Sequence, residues 1–527
     1  MRFLKNNNMN ILFILLFISR ASCEEQILPD ESLAIVPRID FNVYRENAQT
    51  FYLVNLKIGS NKQSVDVLVD TGSSDLWVMG SNNPYCSSSS FSLSKEMIPK
   101  LQNFTNTHLK IPEHGDSKLR TFLQKDSFQS SENGINCSEF GTFNNKNSKT
   151  FRSNQTEFLI QYADYTFSYG EWGHDDVTIG GVKINDLSFA VANQTNSSIS
   201  VLGIGLEGLE TTYTAGKNYP NSYTYANLPS KLVQNKLISK KIYSIYLTGS
   251  SNGSILFGAV DHKKYIGTLT TLPVINTLES EGYSKPVKLE IILTGITLTS
   301  NTSVGEETVE NITSTASPAL LDTGTTLTYV PVAVMEKLAT ALNASFLPSF
   351  GYYVLDCSED TNYKKTTQYT TVDFKFSGVT IKVPITDLLI EVLSFGSTAY
   401  CAVGTLPSGD NNYILGDSFL KSAYVVYDLE EFQISLAQFN KNFQPGIENI
   451  ETIESSVPLA TLATDYSNTW SKTDNSKPAL AKTTATSTKS GSQLKDSSAN
   501  TITILNNKIE VGIFFTMGLV LIIIVTL

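Results

Sequence analysis

The sequence predicts a mainly β protein built as two similar lobes. Three observations carry this expectation. The tetrapeptide Asp70-Thr71-Gly72-Ser73 has a near copy, Asp322-Thr323-Gly324-Thr325, and each copy follows an apolar run: Val65, Val67, Leu68 and Val69 in one case, Ala319, Leu320 and Leu321 in the other. Each copy is followed at a distance by an apolar-apolar-Gly triplet, Val201-Leu202-Gly203 and Ile414-Leu415-Gly416. From Thr50 onward, short apolar runs such as 51–58 and 254–258 alternate with Gly, Asn and Ser turns, the pattern of strands. Helical periodicity is sparse and clearest from Val332 to Asn343. Two equivalent β lobes, each giving one Asp, is the economical arrangement.

The chain has 527 residues, enough for two to four domains, and an ordinary apolar content of 41%. Its formal charge of -11 argues against a nucleic-acid partner, which would call for a basic patch.

Residues 1–23 read as a secretory signal peptide: Arg2 and Lys5, then the apolar run Ile11–Ile18, then Ala21-Ser22-Cys23 as a small-residue cleavage site. Residues 24–46 are expected to be a short propeptide; they contain Arg38 and Arg45 but no Lys-Arg pair to mark the end. Residues 47–235 form the expected N-terminal lobe. The polar stretch 87–136 interrupts it between two cysteines and reads as a surface loop, with Lys118-Leu119-Arg120 as a cleavage site. Residues 236–445 form the second lobe. From 446 to 498 the chain is rich in Ser, Thr, Asn and Lys without apolar periodicity, an expected O-glycosylated stalk. Residues 499–527 complete a GPI-attachment signal, removed on processing. Small residues at Ser497-Ser498-Ala499-Asn500, a spacer from Thr501 to Glu510 and the apolar tail Val511–Leu527 put the lipid on Ser497 or Ser498. A spanning helix is the competing reading of that tail.

Signal cleavage after Cys23 leaves Cys86, Cys137, Cys357 and Cys401, an even number in a secreted chain. Three pairings are open; the division into halves favours 86–137 and 357–401. Sequons at Asn103, Asn136, Asn154, Asn193, Asn196, Asn252, Asn301, Asn311 and Asn343 agree with passage through the secretory pathway.

The repeated Asp carries chemistry. Two carboxylates held close together cannot both ionise easily, so one keeps a proton and the titration belongs to the pair. The ionised member can take a proton from water while the protonated member hydrogen-bonds a scissile carbonyl. Thr71 and Thr323 can hydrogen-bond across the lobes, and Gly72 and Gly324 let backbone approach the carboxylates. A turn-forming role is the bland reading of one Asp, but a repeat of the tetrapeptide in matched contexts is far less probable by chance. Competing chemistries are poorly supplied. His108, His114, His174 and His262 form no zinc motif, no nucleophile elbow is present and the cysteines pair off. No cofactor and no metal are expected.

On these residues the chain resembles the pepsin-like aspartic proteases. Asp70-Thr71-Gly72-Ser73-Ser74-Asp75-Leu76-Trp77 is similar to the first catalytic motif of that family, and 320–329 to the second. Stretches 77–86, 188–193 and 253–262, with the signal, loop, stalk and tail, narrow the resemblance to the yapsins, GPI-anchored fungal aspartic proteases. The resemblance implies a bilobal fold with a cleft between lobes. It implies Asp70 and Asp322 as the dyad, Ser73 and Thr325 as its supporting hydroxyls, Tyr162 as the tyrosine of a β-hairpin flap and Trp77 as its hydrogen-bond neighbour. The sequence departs from the family at Ala163, where Gly is usual, and at the bulkier Tyr165. Asp164 stands where a carboxylate could read a basic side chain or simply stabilise the hairpin turn.

The expected function is therefore an aspartic endopeptidase working at acid pH near Lys or Arg, on cell-surface or secretory proteins, with effects on wall assembly. The alternative is a non-catalytic wall glycoprotein or binding module on the same scaffold. Its partners would be polypeptide substrates and a membrane or cell-wall glucan reached through the GPI anchor. The protein would sit as a monomer, or as two disulfide-linked chains after loop cleavage, at the extracellular face of the plasma membrane or in the wall.

Overall fold

The computed structural model describes residues 37–46, 49–86, 135–162, 166–215, 222–248, 253–301, 307–348, 351–358, 369–395, 398–409 and 412–466. The signal peptide, most of the 87–136 loop, the rest of the stalk and the GPI signal lie outside these residues.

Strands dominate, and the sequence repeat becomes a repeat of topology. In the first half an eight-stranded sheet contains Gln63–Asp70, which pairs in parallel with Ser200–Gly203; Leu76–Met79 lies antiparallel on the far side of the latter. In the second half Ser317–Leu321 pairs in parallel with Tyr413–Leu415, and Thr328–Pro331 lies antiparallel beyond it. Each Asp-Thr-Gly turn thus leaves the end of a strand flanked by the apolar-apolar-Gly strand. The strand Gln63–Asp70 is buried on both faces at its end. Val65, Val67 and Val69 enter the main core, while Leu68 points the other way, to a second cluster with Trp77 and Phe158. A flexible surface turn could not fix the carboxylate of Asp70 as this strand end does.

A third sheet belongs to neither half. Its order is Arg38–Asp40, Ser254–Phe257, Ile242–Tyr246, Ala423–Asp428, Gln433–Phe439, Tyr265–Pro273 and Thr461–Leu462. It draws strands from both ends of the chain. A small four-stranded sheet (Ser345–Leu347, Tyr352–Asp356, Thr398–Val403, Leu389–Phe395) is tied by the Cys357–Cys401 disulfide. The expected helix forms as Val332–Ala341, burying Val334, Met335, Leu338 and Ala339 on one face.

Fixed structure reaches past two expected boundaries. The stretch 24–46, expected as a propeptide, is not without sheet structure: Arg38–Asp40 and Asn42–Glu46 are strands of two different sheets. Ile39 and Phe41 are buried, and Phe41 packs edge-on against Tyr52. Nor does the stalk begin at 446. Ile450–Thr452 pairs with Ala259–Asp261, Thr461–Leu462 runs parallel to Thr270–Thr271, and Ile453, Val457 and Ala463 are buried. Lys240, itself buried, ties this strap down: its Nζ donates to Asp428 at 2.6 Å and to the Ser455 carbonyl at 2.7 Å. Lys240 and the buried Ile453, Val457 and Ala463 hold the segment, and the Ser/Thr-rich run that follows it is why composition over the whole stretch to 498 misreads it.

Candidate active site

The two Asp-Thr-Gly turns meet. Thr71 donates its hydroxyl to the Leu321 carbonyl and Thr323 donates its own to the Val69 carbonyl, both at 2.8 Å. Each threonine oxygen also accepts the other's backbone N–H, at 3.0 and 3.2 Å. All four groups are buried, so the network is shielded from competition with water.

Within each turn the carboxylate is held in the same way. Gly72 N–H donates to Asp70 Oδ1 and Gly324 N–H to Asp322 Oδ1, both at 2.8 Å. The Ser73 hydroxyl donates to Asp70 Oδ2, and Thr325 donates to Asp322 Oδ2 at 2.6 Å. The glycines are required by space. A Cβ on Gly72 would lie 2.7 Å from the Asp322 carboxyl, and one on Gly324 would lie 2.4 Å from Asp70 Oδ1. Each glycine therefore faces the carboxyl of the opposite turn.

Asp70 and Asp322 are 6% and 8% exposed. Burial, then the charge of Asp322 and the hydrogen bond shared with it, push the Asp70 carboxyl well above its ordinary range; the Ser73 and Gly72 donors pull it back only in part. The pair can therefore hold one proton and one negative charge together, which suits it to activate water and to polarise a carbonyl.

Tyr162 follows the strand Arg152–Gln161, and its N–H donates to the Thr166 carbonyl at 2.9 Å across a hairpin. Its hydroxyl accepts the indole N–H of Trp77 at 2.8 Å. Trp77 is fully buried, so this bond fixes the turn end of the hairpin against the strand Leu76–Met79 of the sheet that carries Asp70. Asp164, with Ala163 and Tyr165, lies outside the described residues.

Cys86 pairs with Cys137 and Cys357 with Cys401, with Cα–Cα separations of 5.4 and 5.7 Å. Of the sequons, Asn136, Asn154, Asn301, Asn311 and Asn343 are exposed and Asn193 and Asn196 half-buried. Asn103, Asn252, Ser497 and Ser498 fall outside the described residues.

Sequence reasoning missed two groups beside the site. Asp75, in the first motif, accepts the Thr211 N–H at 2.9 Å and the Tyr225 hydroxyl at 2.7 Å, while Glu210 accepts the Tyr225 N–H at 2.8 Å. Burial pushes Asp75 up to about 6 and Glu210 up to about 10. Asp417, directly after the second apolar-apolar-Gly triplet, is completely buried, and burial holds its carboxyl well above the ordinary range. Its backbone N–H donates to the Thr325 carbonyl at 2.8 Å, beside the Asp322 turn. Asp75 and Asp417 had a signal in their place, one inside the first motif and one directly after the second triplet, while Glu210 had none.

Comparison with known proteins agrees with this geometry. The family model described as eukaryotic aspartyl protease matches residues 51–439. The chain is 43% identical over 448 residues to Aspartic proteinase 3 of Saccharomyces cerevisiae, covering 81% of this chain and 76% of that protein. It is 38% identical over 431 residues to Aspartic proteinase yapsin-3 of the same organism, with 81% and 73% covered. It is also 38% identical over 456 residues to Secreted aspartic protease 9 of Candida albicans, with 77% and 80% covered.

Proposed function

This chain belongs to the eukaryotic aspartyl protease family and is an aspartic endopeptidase acting on polypeptides, and we propose that Asp70 and Asp322 are its catalytic dyad, working at acid pH on proteins of the secretory pathway and cell surface. The observation that carries the assignment is the reciprocal Thr71–Thr323 lock, which sets the two carboxyls face to face with matched donors. The ionised carboxylate of the dyad takes a proton from the attacking water. The protonated one donates to the scissile carbonyl, and the tetrahedral intermediate then collapses as a proton passes to the leaving nitrogen. No covalent bond to the protein is needed. Ser73 and Thr325 hold the outer carboxylate oxygens, and Tyr162, braced by Trp77, closes over the substrate.

The deciding assay incubates the purified protein with an unfolded polypeptide at acid pH, with and without a transition-state-mimicking peptide inhibitor. Inhibitor-sensitive cleavage is expected; its absence would overturn the reading. Asp164 is proposed to favour Lys or Arg substrates by a charge-assisted hydrogen bond. Asp164→Ala is then expected to lower kcat/KM on such substrates about tenfold, about 1.4 kcal/mol, and to spare Leu or Phe substrates. An equal loss on both classes would instead assign Asp164 to hairpin structure.

The sequence signals support attachment through a GPI lipid near Ser497 or Ser498 after removal of the tail, leaving the enzyme at the outer face of the membrane or in the wall. Phosphatidylinositol-specific phospholipase or wall-degrading enzymes are expected to release it. Recovery of the Val511–Leu527 peptide from the mature protein would exclude this. The protein is proposed to act as a monomer, becoming two disulfide-linked chains wherever loop 87–136 is cut.

A further inference from the structure

A cavity of about 310 Å³ lies at the seam between residues 205–213 and 224–230 of the first half and residues of the second half. None of Asp70, Asp322, Trp77 or Tyr162 lines it. We infer that this cavity is a second binding site, which takes the carboxyl-terminal residue of a peptide with an apolar side chain.

Three features define the ligand. The first is an unanswered acceptor. Asn227 lines the cavity and is 3% exposed; its Nδ2 donates to the Gly205 carbonyl at 2.9 Å, while its Oδ1 accepts no hydrogen bond among the described residues. A buried acceptor of this kind calls for an N–H or O–H from a ligand. The second is the wall. Leu206, Val287, Leu429 and Phe432 supply apolar surface, enough for one medium or large side chain. The third is charge. Lys241 and Lys285 line the cavity, and neither ammonium has an ion-pair partner among the described residues. Lys285 sits over the Phe432 ring at 5.6 Å. Glu207 is the acidic side chain of the lining, and it already accepts the Ser230 hydroxyl. The lining thus carries two lysines against one glutamate, with the Glu430 carboxylate accepting the Lys241 backbone N–H at 3.2 Å.

An amide N–H, an apolar side chain and a carboxylate, joined in that order, make the last residue of a peptide. Hydrolysis creates such an end at every turnover, so the natural ligand, though not the binding chemistry, rests on the endopeptidase reading. The recess also shares Gly205 with the backing of the active site, since Gly205 N–H donates to the Ser73 carbonyl at 2.8 Å. Occupancy is thereby placed one residue from the turn that holds Asp70.

The test is a binding measurement that needs no turnover. The purified full-length protein, saturated with a transition-state-mimicking peptide inhibitor, is titrated calorimetrically with N-acetyl-L-phenylalanine and with N-acetyl-L-phenylalaninamide. The acid is expected to bind at least tenfold more tightly than the amide. The Lys241→Ala/Lys285→Ala double variant should lose at least tenfold in affinity for the acid while keeping its kcat/KM on a short peptide. The inference is overturned if millimolar acid does not bind, if the inhibitor displaces it, if acid and amide bind alike, or if the double variant binds as the wild type does.

Discussion

Thr71 and Thr323 hold each other by the same pair of bonds in both directions: each backbone N–H reaches the other's hydroxyl, and each hydroxyl reaches a carbonyl on the opposite strand. The two residues are separated by 252 positions in the chain, yet neither can shift without breaking bonds made by both. The lock orients two strand ends at once, and through them two carboxyls.

Thr323→Val keeps the side-chain volume but removes the hydroxyl. The Thr71 N–H and the Val69 carbonyl are then buried without partners. A loss of about 2–4 kcal/mol in stability is expected, read by urea unfolding, together with a fall in kcat larger than any change in KM. A variant with wild-type stability and kcat would show that the lock is dispensable.

Asp70→Asn and Asp322→Asn should each lower kcat by at least about a thousandfold, because each carboxyl has a separate proton task. Inhibitor binding, measured by calorimetry, reports that the cleft is still assembled. Activity within tenfold of the wild type in either variant would remove the dyad assignment.

Activity against pH should be bell-shaped with an acid optimum. At the lowest pH the pair takes a second proton and has no base. As pH rises through the raised pKa of Asp70, the pair loses the proton it must donate. A kcat/KM profile still climbing through neutral pH would contradict this.

Beside Asp70 and Asp417, Glu210 and Asp75 should give stability a pH dependence of its own. Both carboxyl pKa values are raised in the folded state, to about 10 and about 6. Below the unfolded-state carboxyl pKa, about 4, both states are protonated and folding bears no penalty. Above it the unfolded chain ionises while the fold resists, so stability falls with rising pH. The Asp75 contribution is spent by about pH 6, and that of Glu210 continues toward about 10. Glu210→Gln should flatten the neutral slope by up to about 1.4 kcal/mol per pH unit, measured by denaturant melts from pH 4 to pH 8. An unchanged slope would place the sensitivity elsewhere.

Lys240→Ala strands the buried Asp428 carboxylate and frees the Ser455 carbonyl. It should cost about 3–5 kcal/mol and expose 444–466 to proteolysis before the rest of the fold. Cleavage of that segment no faster than in the wild type would show that the apolar anchors alone hold it.

What was legible in the sequence was what repeats or is local. The Asp-Thr-Gly turns, their triplet strands and the helix at 332 announce themselves within a few residues. The disulfide pairing followed from which half each cysteine occupies. The Asp75–Tyr225 contact was not legible, because it joins residues 150 positions apart and only the fold brings them together. The strap after 446 was hidden for a different reason: it opens a stretch that, taken whole to 498, is rich in Ser and Thr, and that long window masks Ile453, Val457 and Ala463. The strands at 38–46 were masked by the expectation that basic residues near an N-terminus mark processing.

The strap decides where a mechanical load would enter the molecule. Force applied from beyond Tyr466 reaches first the bond from the Asp465 N–H to the Ser377 hydroxyl, then the strand Thr461–Leu462, aligned in parallel with Thr270–Thr271, and then Ile450–Thr452 beside Ala259–Asp261. Tension along Thr461–Leu462 acts on its hydrogen bonds in shear and passes into the third sheet, while the Ser377 contact carries part of the load to the edge hairpin of the sheet that holds Ser317–Leu321. For a chain tethered through its C-terminal end, as proposed, the load would enter at the third sheet and at this edge hairpin, strands away from the turns at Asp70 and Asp322.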